Sequence, residues 1–513
     1  MATQDELFQL VKSLTPSEKR YFKTNASKSG DAKSNYVQLF DAIDSQGEEY
    51  DEELLKQKHA KKPFVKYLSA EKKYLREQVM KQMRAYHTED TIDNKINELI
   101  QDADFQSGKG LISLNEKSLL KAKELAVKYE RYHLLKLILK KLTGFTIEFE
   151  KKKITEPVIA LINEQKQLAI VQETDLELET KDRELFSIYR SGADISDAHV
   201  RNRVDMLMNE VERHRMRVGN SFTLGVHFSR ANSNYFQLIR DWPSSLLSTQ
   251  QEYQLFQQFP HFKTEASKNY KICLANLMSR AQSAANNEWF LKALTEMKEL
   301  PSNSFNEEGE VFQNIYFSEH LFYINNGDME KAAALIPIIE DGLVKYESKI
   351  NLARKLAFQF NIMVMYFLMH DFKRALKWTE PLMADNSEIK QHQKFVTVLL
   401  LPFIHFELGH EELVESYARS AYRLLKSKQR LHAFERLVIK YLNGMPLSSD
   451  RAEFKEKVTG FHEELESLIS DSKITSVLGM EEMSLWAKSH VTGKKMSLLL
   501  KEAVNPDQSP PVL

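Results

Sequence analysis

The stretch YINNGDMEKAAALI (323–336) reads as a helix closing on Tyr323, a tight turn at Gly327-Asp328 and a second helix opened by small residues. Forty-three residues later YFLMHDFKRALKWT repeats the layout, with His370-Asp371 at the turn and Ala375 in the place of Ala332. The same arrangement recurs at Glu130-Arg131, Asp241-Trp242, Glu288-Trp289 and, more loosely, His410-Glu411. From Asp241 on, the residues after the turn (242, 289, 329, 372, 411) are 47, 40, 43 and 39 apart. A period near forty with two helices per unit is the sequence form of an α-solenoid, in which each hairpin buries its apolar face only against its neighbours. Composition agrees. Gly (16) and Pro (13) are each about 3% of 513 residues, against usual shares of ~7% and ~5%, and both are disfavoured inside helices.

The first ninety residues or so read as a separate small helical module. In SLTPSEKRYF, Thr15 is a cap, Pro16 suits the first helical position and Glu18 completes a capping box. NYVQLFDAI (35–43) and DEELLKQKH (51–59) are two further short helices. A fourth runs from Ser69 to about Tyr86, where Leu75, Val79, Met83 and Tyr86 fall within a wedge of about 80° at 100° per residue. An acidic segment, HTEDTIDNKINELIQDADF, then leads to a joint at Gly108 and Gly110. Between 150 and 230 the sequence has room for one or two helical pairs whose turns it does not mark. After NGMPLSSD (443–450), Phe454, Val458, Phe461, Leu465 and Leu468 alternate spacings of four and three, which places a capping helix over the last repeat.

The repeated units resemble the tetratricopeptide repeat, whose signature has Tyr closing the first helix, a Gly-Asp-aromatic turn and a small residue three places on. Tyr323, Gly327, Asp328 and Ala332 carry the resemblance, as do Tyr366, Asp371, Phe372 and Ala375 with His370 at the glycine position. The copy at Gly409 has His405 for the tyrosine and Val414 for the small residue. The early Trp and Leu-Gly of the family are missing, and the spacing exceeds its usual length of about 34. The resemblance extends over roughly 200–450. It implies that first-helix positions line a concave face holding a peptide or helix, which places Asn314, Phe317, Leu321, Phe360, Val364, Phe367, Phe403 and Phe406 there. All but Asn314 are apolar, and FQFNIMVMYFLM (358–369) is apolar nearly all round, which demands burial on two sides. Either an apolar segment of a partner fills that groove or the chain's own C-terminal helix does.

Catalytic signatures are absent from the sequence. SGKGL and TGKKMS lack the upstream glycine of a phosphate loop, HEELE and HEELV lack the second histidine of a zinc pair, and Ser107 stands where a calcium loop after Asp102 needs glycine. His405 and His410, five apart, do not share a helix face, and the lone Cys273 sits among apolar neighbours as an inert thiol. The reading is therefore no enzyme, no cofactor and no metal. The N-terminus carries acids where a secretory signal needs basic and apolar runs, and no stretch has the length of a membrane span, so a cytoplasmic location is expected.

Charge supplies the other binding signal. Residues 54–87 hold ten basic residues against two acids, a net charge of +8, interleaved with Phe64, Tyr67, Tyr74 and Tyr86. Lys73, Arg76, Lys81 and Arg84 lie beside the apolar stripe, where they can meet nucleic-acid phosphates. They can equally pair with the six acids of 88–106, Glu89, Asp90, Asp93, Glu98, Asp102 and Asp104. The expected architecture is all-α: a helical N-terminal module (1–105) with a basic helix, a tetratricopeptide-like solenoid of helical hairpins (111–445), C-terminal capping helices (446–502) and a disordered tail (503–513). The expected function is a non-catalytic protein–protein interaction scaffold using the concave face. The alternative is a nucleic-acid-binding regulator whose solenoid senses a partner.

Overall fold

The computed structural model describes residues 6–28, 35–47, 49–86, 91–149, 155–302, 304–384, 391–443, 451–470 and 479–503. Every regular element among them is helical, and none of these helices is long and apolar enough to cross a membrane. The expected tail, the 444–450 connection and the acids Glu89 and Asp90 lie outside the described residues. There are two compact units, 1–174 and 175–513, divided within one long helix.

The first unit begins with α1 (Glu6–Ser13), α2 (Pro16–Lys28), α3 (Asn35–Asp44), α4 (Glu52–Lys58), α5 (Pro63–Lys66) and α6 (Leu68–Tyr86). Its entry is set by the capping box: the Glu18 backbone N–H donates to Thr15 Oγ1 (3.3 Å) and the Thr15 N–H to Glu18 Oε2 (2.6 Å), so two otherwise orphaned donors are satisfied reciprocally. Phe22, Leu39, Phe40, Ile43, Phe64, Leu75 and Val79, all fully buried, form its core. Next come α7 (Ile92–Gly108), α8 (Ile112–Lys128), α9 (Tyr132–Phe149) and α10 (Thr155–Ser191). From Ile92 on, the acidic segment is the helix α7. The glycines after it form a hairpin turn, with Gly110 at φ +69° and the Leu111 N–H donating to the Gln106 carbonyl, and α7 packs along α8. Where hairpins were expected after 150, α10 instead runs 37 residues, because neither Gly nor Pro occurs between Val158 and Ser191 to stop it.

The second unit continues through α11 (Ala198–Arg213), α12 (Arg215–Val218), α13 (Phe222–Leu238), α14 (Trp242–Gln258), α15 (His261–Glu265), α16 (Ser267–Ser283), α17 (Asn287–Glu299), α18 (Phe305–Asn325), α19 (Met329–Ala334), α20 (Ile336–Lys345), α21 (Leu352–Leu368), α22 (Phe372–Ala384), α23 (Gln391–Glu407), α24 (Glu411–Ser427) and α25 (Ala433–Asn443). It closes with α26 (Arg451–Ser470), α27 (Met480–Thr492) and α28 (Met496–Ala503). Neighbouring helices pack in succession, and α14 on α16, α16 on α18, α18 on α21 and α21 on α23 add the contacts between alternate members.

One turn geometry joins these pairs. Arg240, Ala285, Gly327, His370 and Gly409 adopt left-handed φ of +61°, +52°, +71°, +61° and +74°. After each, the N–H of the following residue (Asp241, Asn286, Asp328, Asp371, His410) donates to the carbonyl five residues back. That closes the helix C-terminus in the manner of a Schellman turn. Asp241, Asn286 and Asp371 then cap the next helix, accepting from the N–H groups of Ser244, Trp289 and Arg374. The turn expected at Glu288-Trp289 therefore sits at Ala285-Asn286. Cap residues 241, 286, 328, 371 and 410 are 45, 42, 43 and 39 apart, a more even period than the sequence alignment produced.

Candidate interaction surface

The eight residues assigned to an inner face divide into two groups. Phe360, Val364, Phe367 and Phe403 are 2%, 1%, 0% and 0% exposed, so none of them is available to a partner. Every residue of α21 from Leu356 to Leu368 is buried, and so is every residue of α23 from Phe395 to His405. α21 is packed by α22, whose Phe372 meets Phe367 edge-on at 5.7 Å, and by α27, while the end of α23 is covered by the chain's own C-terminal helices. Trp486 of α27 meets Phe403 edge-on at 4.7 Å and Phe406 at 6.2 Å, Phe461 of α26 stacks on Phe403 at 6.1 Å, and Phe454 on the half-buried Phe406 at 5.1 Å. Glu407 Oε1 fixes α27 by accepting from Trp486 Nε1 (2.7 Å), and His490 Nε2 lies 2.6 Å from the same oxygen. His370 Nε2 accepts from the Met496 N–H (3.1 Å), and Lys501 of α28 lies over Gly327 and reaches Asp328 Oδ1 (3.3 Å). Of the two fillings that the sequence left open, this groove has the internal one.

Asn314, Phe317 and Leu321 differ: all three are half-buried on α18. Asn314 borders a cleft of about 300 Å³ with Lys268, Ile272 and Glu310. Phe317 packs edge-on against Phe358 (5.3 Å), and its ring carries the Arg354 guanidinium 4.4 Å from its centre. Arg354 is held in the first turn of α21, where Asn351 caps the Arg354 N–H (2.9 Å). Burial, and then the nearby charge of Arg190 at the end of α10, pull its pKa below the usual arginine value. The residue before Arg190, Tyr189, receives a second arginine. Arg280 of α16 is only 4% exposed; its guanidinium lies 5.1 Å from the Tyr189 ring and donates to Asn234 Oδ1 (3.2 Å), with longer contacts to Ser233 Oγ and Tyr189 Oη. Those acceptors are neutral. A carboxylate joins the network one step further out, where Asp182 accepts from Asn234 Nδ2 at 3.0 Å.

On the first unit, Lys73, Arg76, Lys81 and Arg84 are all exposed on α6. Arg76 reaches Glu6 (3.1 Å), a pair exposed enough to be worth little, and Lys72 pairs with Glu52. Two acids of the following helix are engaged away from this face: Asp93 pairs with Arg131 and Asp104 with Lys141. Tyr67 and Tyr74, from the same basic stretch, are 61% and 45% exposed.

Of the residues weighed for chemistry, Cys273 is fully buried and its thiol is pushed well above the usual range by burial. His405 and His410, read as unrelated, are brought together by the Gly409 turn, with their Nδ1 atoms 3.2 Å apart and His405 stacked on Tyr417. Among the described residues no three His, Cys, Asp or Glu side chains are grouped to hold a metal. Sequence reasoning missed Arg280 and Arg354, since an arginine in a helix is marked as unusual only by what surrounds it in space. No protein-family model matches the chain, and no curated protein or solved structure matches it either.

Proposed function

We propose that this chain is a non-catalytic protein–protein interaction scaffold built as a tetratricopeptide-like α-solenoid, and that its working surface is the α16–α18–α21 stretch. The observation that carries the reading is the contrast on one succession of first helices. The aromatic face at α21 and α23 is filled from within, while Asn314, Phe317 and Leu321 on α18 keep solvent access beside arginines. Long ladders of hairpins offer extended surfaces used mainly to hold other proteins. Phe360→Glu and Phe403→Glu would report on folding, because both side chains are core. Phe317→Glu is the informative change. Recovery of the tagged full chain from its native lysate, half of it nuclease-treated, should yield a protein partner that survives nuclease and is lost with Phe317→Glu while the helical circular dichroism stays intact. No such partner would sink the scaffold reading.

A second reading, a nucleic-acid-binding regulator, is supported by the exposed basic face of α6, with the exposed rings of Tyr67 and Tyr74 in the same stretch. It requires retention on DNA or RNA that falls steeply with salt and is lost in a Lys73/Arg76/Lys81/Arg84→Glu variant.

A further inference from the structure

Arg354 is a half-buried cation without a matching acid. Among the described residues no carboxylate lies within ion-pair distance of it, and its planar face is spent on the Phe317 ring. Its neighbour Lys355 has Glu347 (2.9 Å) and Arg374 has Asp371 (2.6 Å), so acids are supplied nearby to other cations but not to this one. Arg190 lies 5.8 Å from the Phe186 ring, and Arg280 has neutral acceptors. Arg280 is buried against α13 and Tyr189, so the cations at the open α18 face are Arg354, on the Phe317 ring, and Arg190, whose charge Arg354 feels. Removing a guanidinium from water without a counter-charge costs stability, and a protein that carries this cost at one place has a use for the unmatched charge. An arginine over an aromatic ring keeps its N–H fork free at the edge, where it can take a carboxylate through two parallel hydrogen bonds.

We propose that Arg354 and Arg190, with Phe317 as the apolar floor, form a subsite for carboxylate side chains of an acidic protein segment. The proposal rests on the scaffold reading and says what chemistry that surface selects. Asn314 and Leu321 continue the same stripe of α18 and suit an extended segment that alternates acids with small apolar residues.

The test uses the full chain and a fluorescein-labelled octaglutamate peptide, read by anisotropy at low salt. Saturable binding is expected, weakened about tenfold by Arg354→Gln and by Arg190→Gln, the loss of one charge-assisted bidentate contact, and unchanged by Lys73→Gln/Lys81→Gln on the other unit. A structural role for Arg354 is tested separately by Arg354→Met, which keeps packing on Phe317 and should melt no lower than wild type. Equal binding by wild type and Arg354→Gln overturns the subsite. So does equal weakening by the Lys73/Lys81 pair, or a clearly lower melting temperature for Arg354→Met. Displacement by inorganic phosphate where chloride of equal ionic strength has no effect would transfer the site to phosphate and overturn the acidic-segment assignment. If octaglutamate fails to bind but Phe317→Glu still loses a nuclease-resistant partner, the scaffold stands and only this inference falls.

Discussion

The succession α13–α18 and the succession α21–α25 share a turn geometry and a period, yet they solve burial differently. In the later one, α21 and α23 are apolar all round, and a helix of that kind must be covered on every side. The chain covers it with α26 and α27, reserving Trp486, Met483, Phe461 and Val458 for the purpose. In the earlier one, α13 meets α14 through Ser233, Ser245 and Thr249, with hydroxyls 2.8 Å and 3.3 Å apart, Asn234 and Arg280 are met by Asp182 and Tyr189 of α10, and Asn314 on α18 is half-buried. These buried polar groups are met by hydrogen bonds, so this region needs a partner for each donor and acceptor where the later one needs an apolar cover. An aromatic inner face on a helical ladder is therefore as much a sign of self-packing as of a binding groove, and side-chain polarity separates the two.

The comparison is broken most directly by removing the cover. Deleting residues 479–503 uncovers the partners of Trp486, Met480, Met483, Met496 and Leu500, each side chain worth about 1.5–3 kcal/mol of burial. The gross loss, about 10 kcal/mol, rivals the whole stability of an ordinary domain. The truncated chain should lose cooperative melting and scatter light at micromolar concentration; a soluble, cooperatively melting product would show that the two faces do not differ as argued. On a smaller scale, Trp486→Ala should cost about 4 kcal/mol in urea unfolding, whereas Phe317→Ala, half-buried, should cost about 1 kcal/mol. Equal costs would erase the distinction.

Two buried titratable groups, one in each region, sharpen it through pH. His320 on α18 is fully buried, and burial holds its pKa down to about 4. Because the unfolded imidazole takes its proton near 6.5, His320 contributes fully above that pH, and its contribution fades as pH falls towards 4, by about 3 kcal/mol. Glu482 on α27 runs the other way: burial raises its carboxyl to about 7, so the folded state favours the protonated form. Stability from this residue is present below the unfolded value near 4.5 and is lost as pH rises through 7, again by about 3 kcal/mol. The two windows overlap with opposite sign and nearly cancel between about pH 4.5 and 6.5, so Glu482→Gln should unmask a rise of stability with pH there and His320→Phe a fall. Denaturant midpoints between about pH 4 and 8 check both; a profile that Glu482→Gln leaves unchanged removes Glu482 as a contributor.

Local chemistry was legible in the sequence and tertiary chemistry was not. The capping box at Thr15, the turns at Gly327 and His370 and the α6 stripe of Leu75, Val79 and Met83 rest on residues within a few positions of each other and are where periodicity and cap preference place them. Tyr86, expected in that stripe, is exposed at the helix end. Alanine carries no mark of left-handed backbone, so the sequence points to the acidic Glu288 for a turn that the structure has at Ala285. Covering of Phe403 by Trp486, more than eighty residues on, and the seating of Arg280 on Tyr189 and of Arg354 on Phe317 have no counterpart in local pattern.

The smallest effects concern the turns themselves. Arg240, Ala285 and His370 all hold left-handed backbone, which costs an L-residue about 1–2 kcal/mol relative to glycine, offset in part by the greater freedom glycine gives the unfolded chain. Arg240→Gly and Ala285→Gly, in the earlier succession, should therefore stabilise by about 0.5–1 kcal/mol each. His370 lies in the later one, and its ring accepts the Met496 N–H at the start of α28. Loss of that acceptor leaves a half-buried amide unmet, at about 1 kcal/mol, so His370→Gly should gain nothing or lose slightly. Denaturant midpoints of the three variants decide the matter. A gain for His370→Gly equal to the other two would mean that α28 rests on the turn without depending on it, and the internal cover would then end at α27.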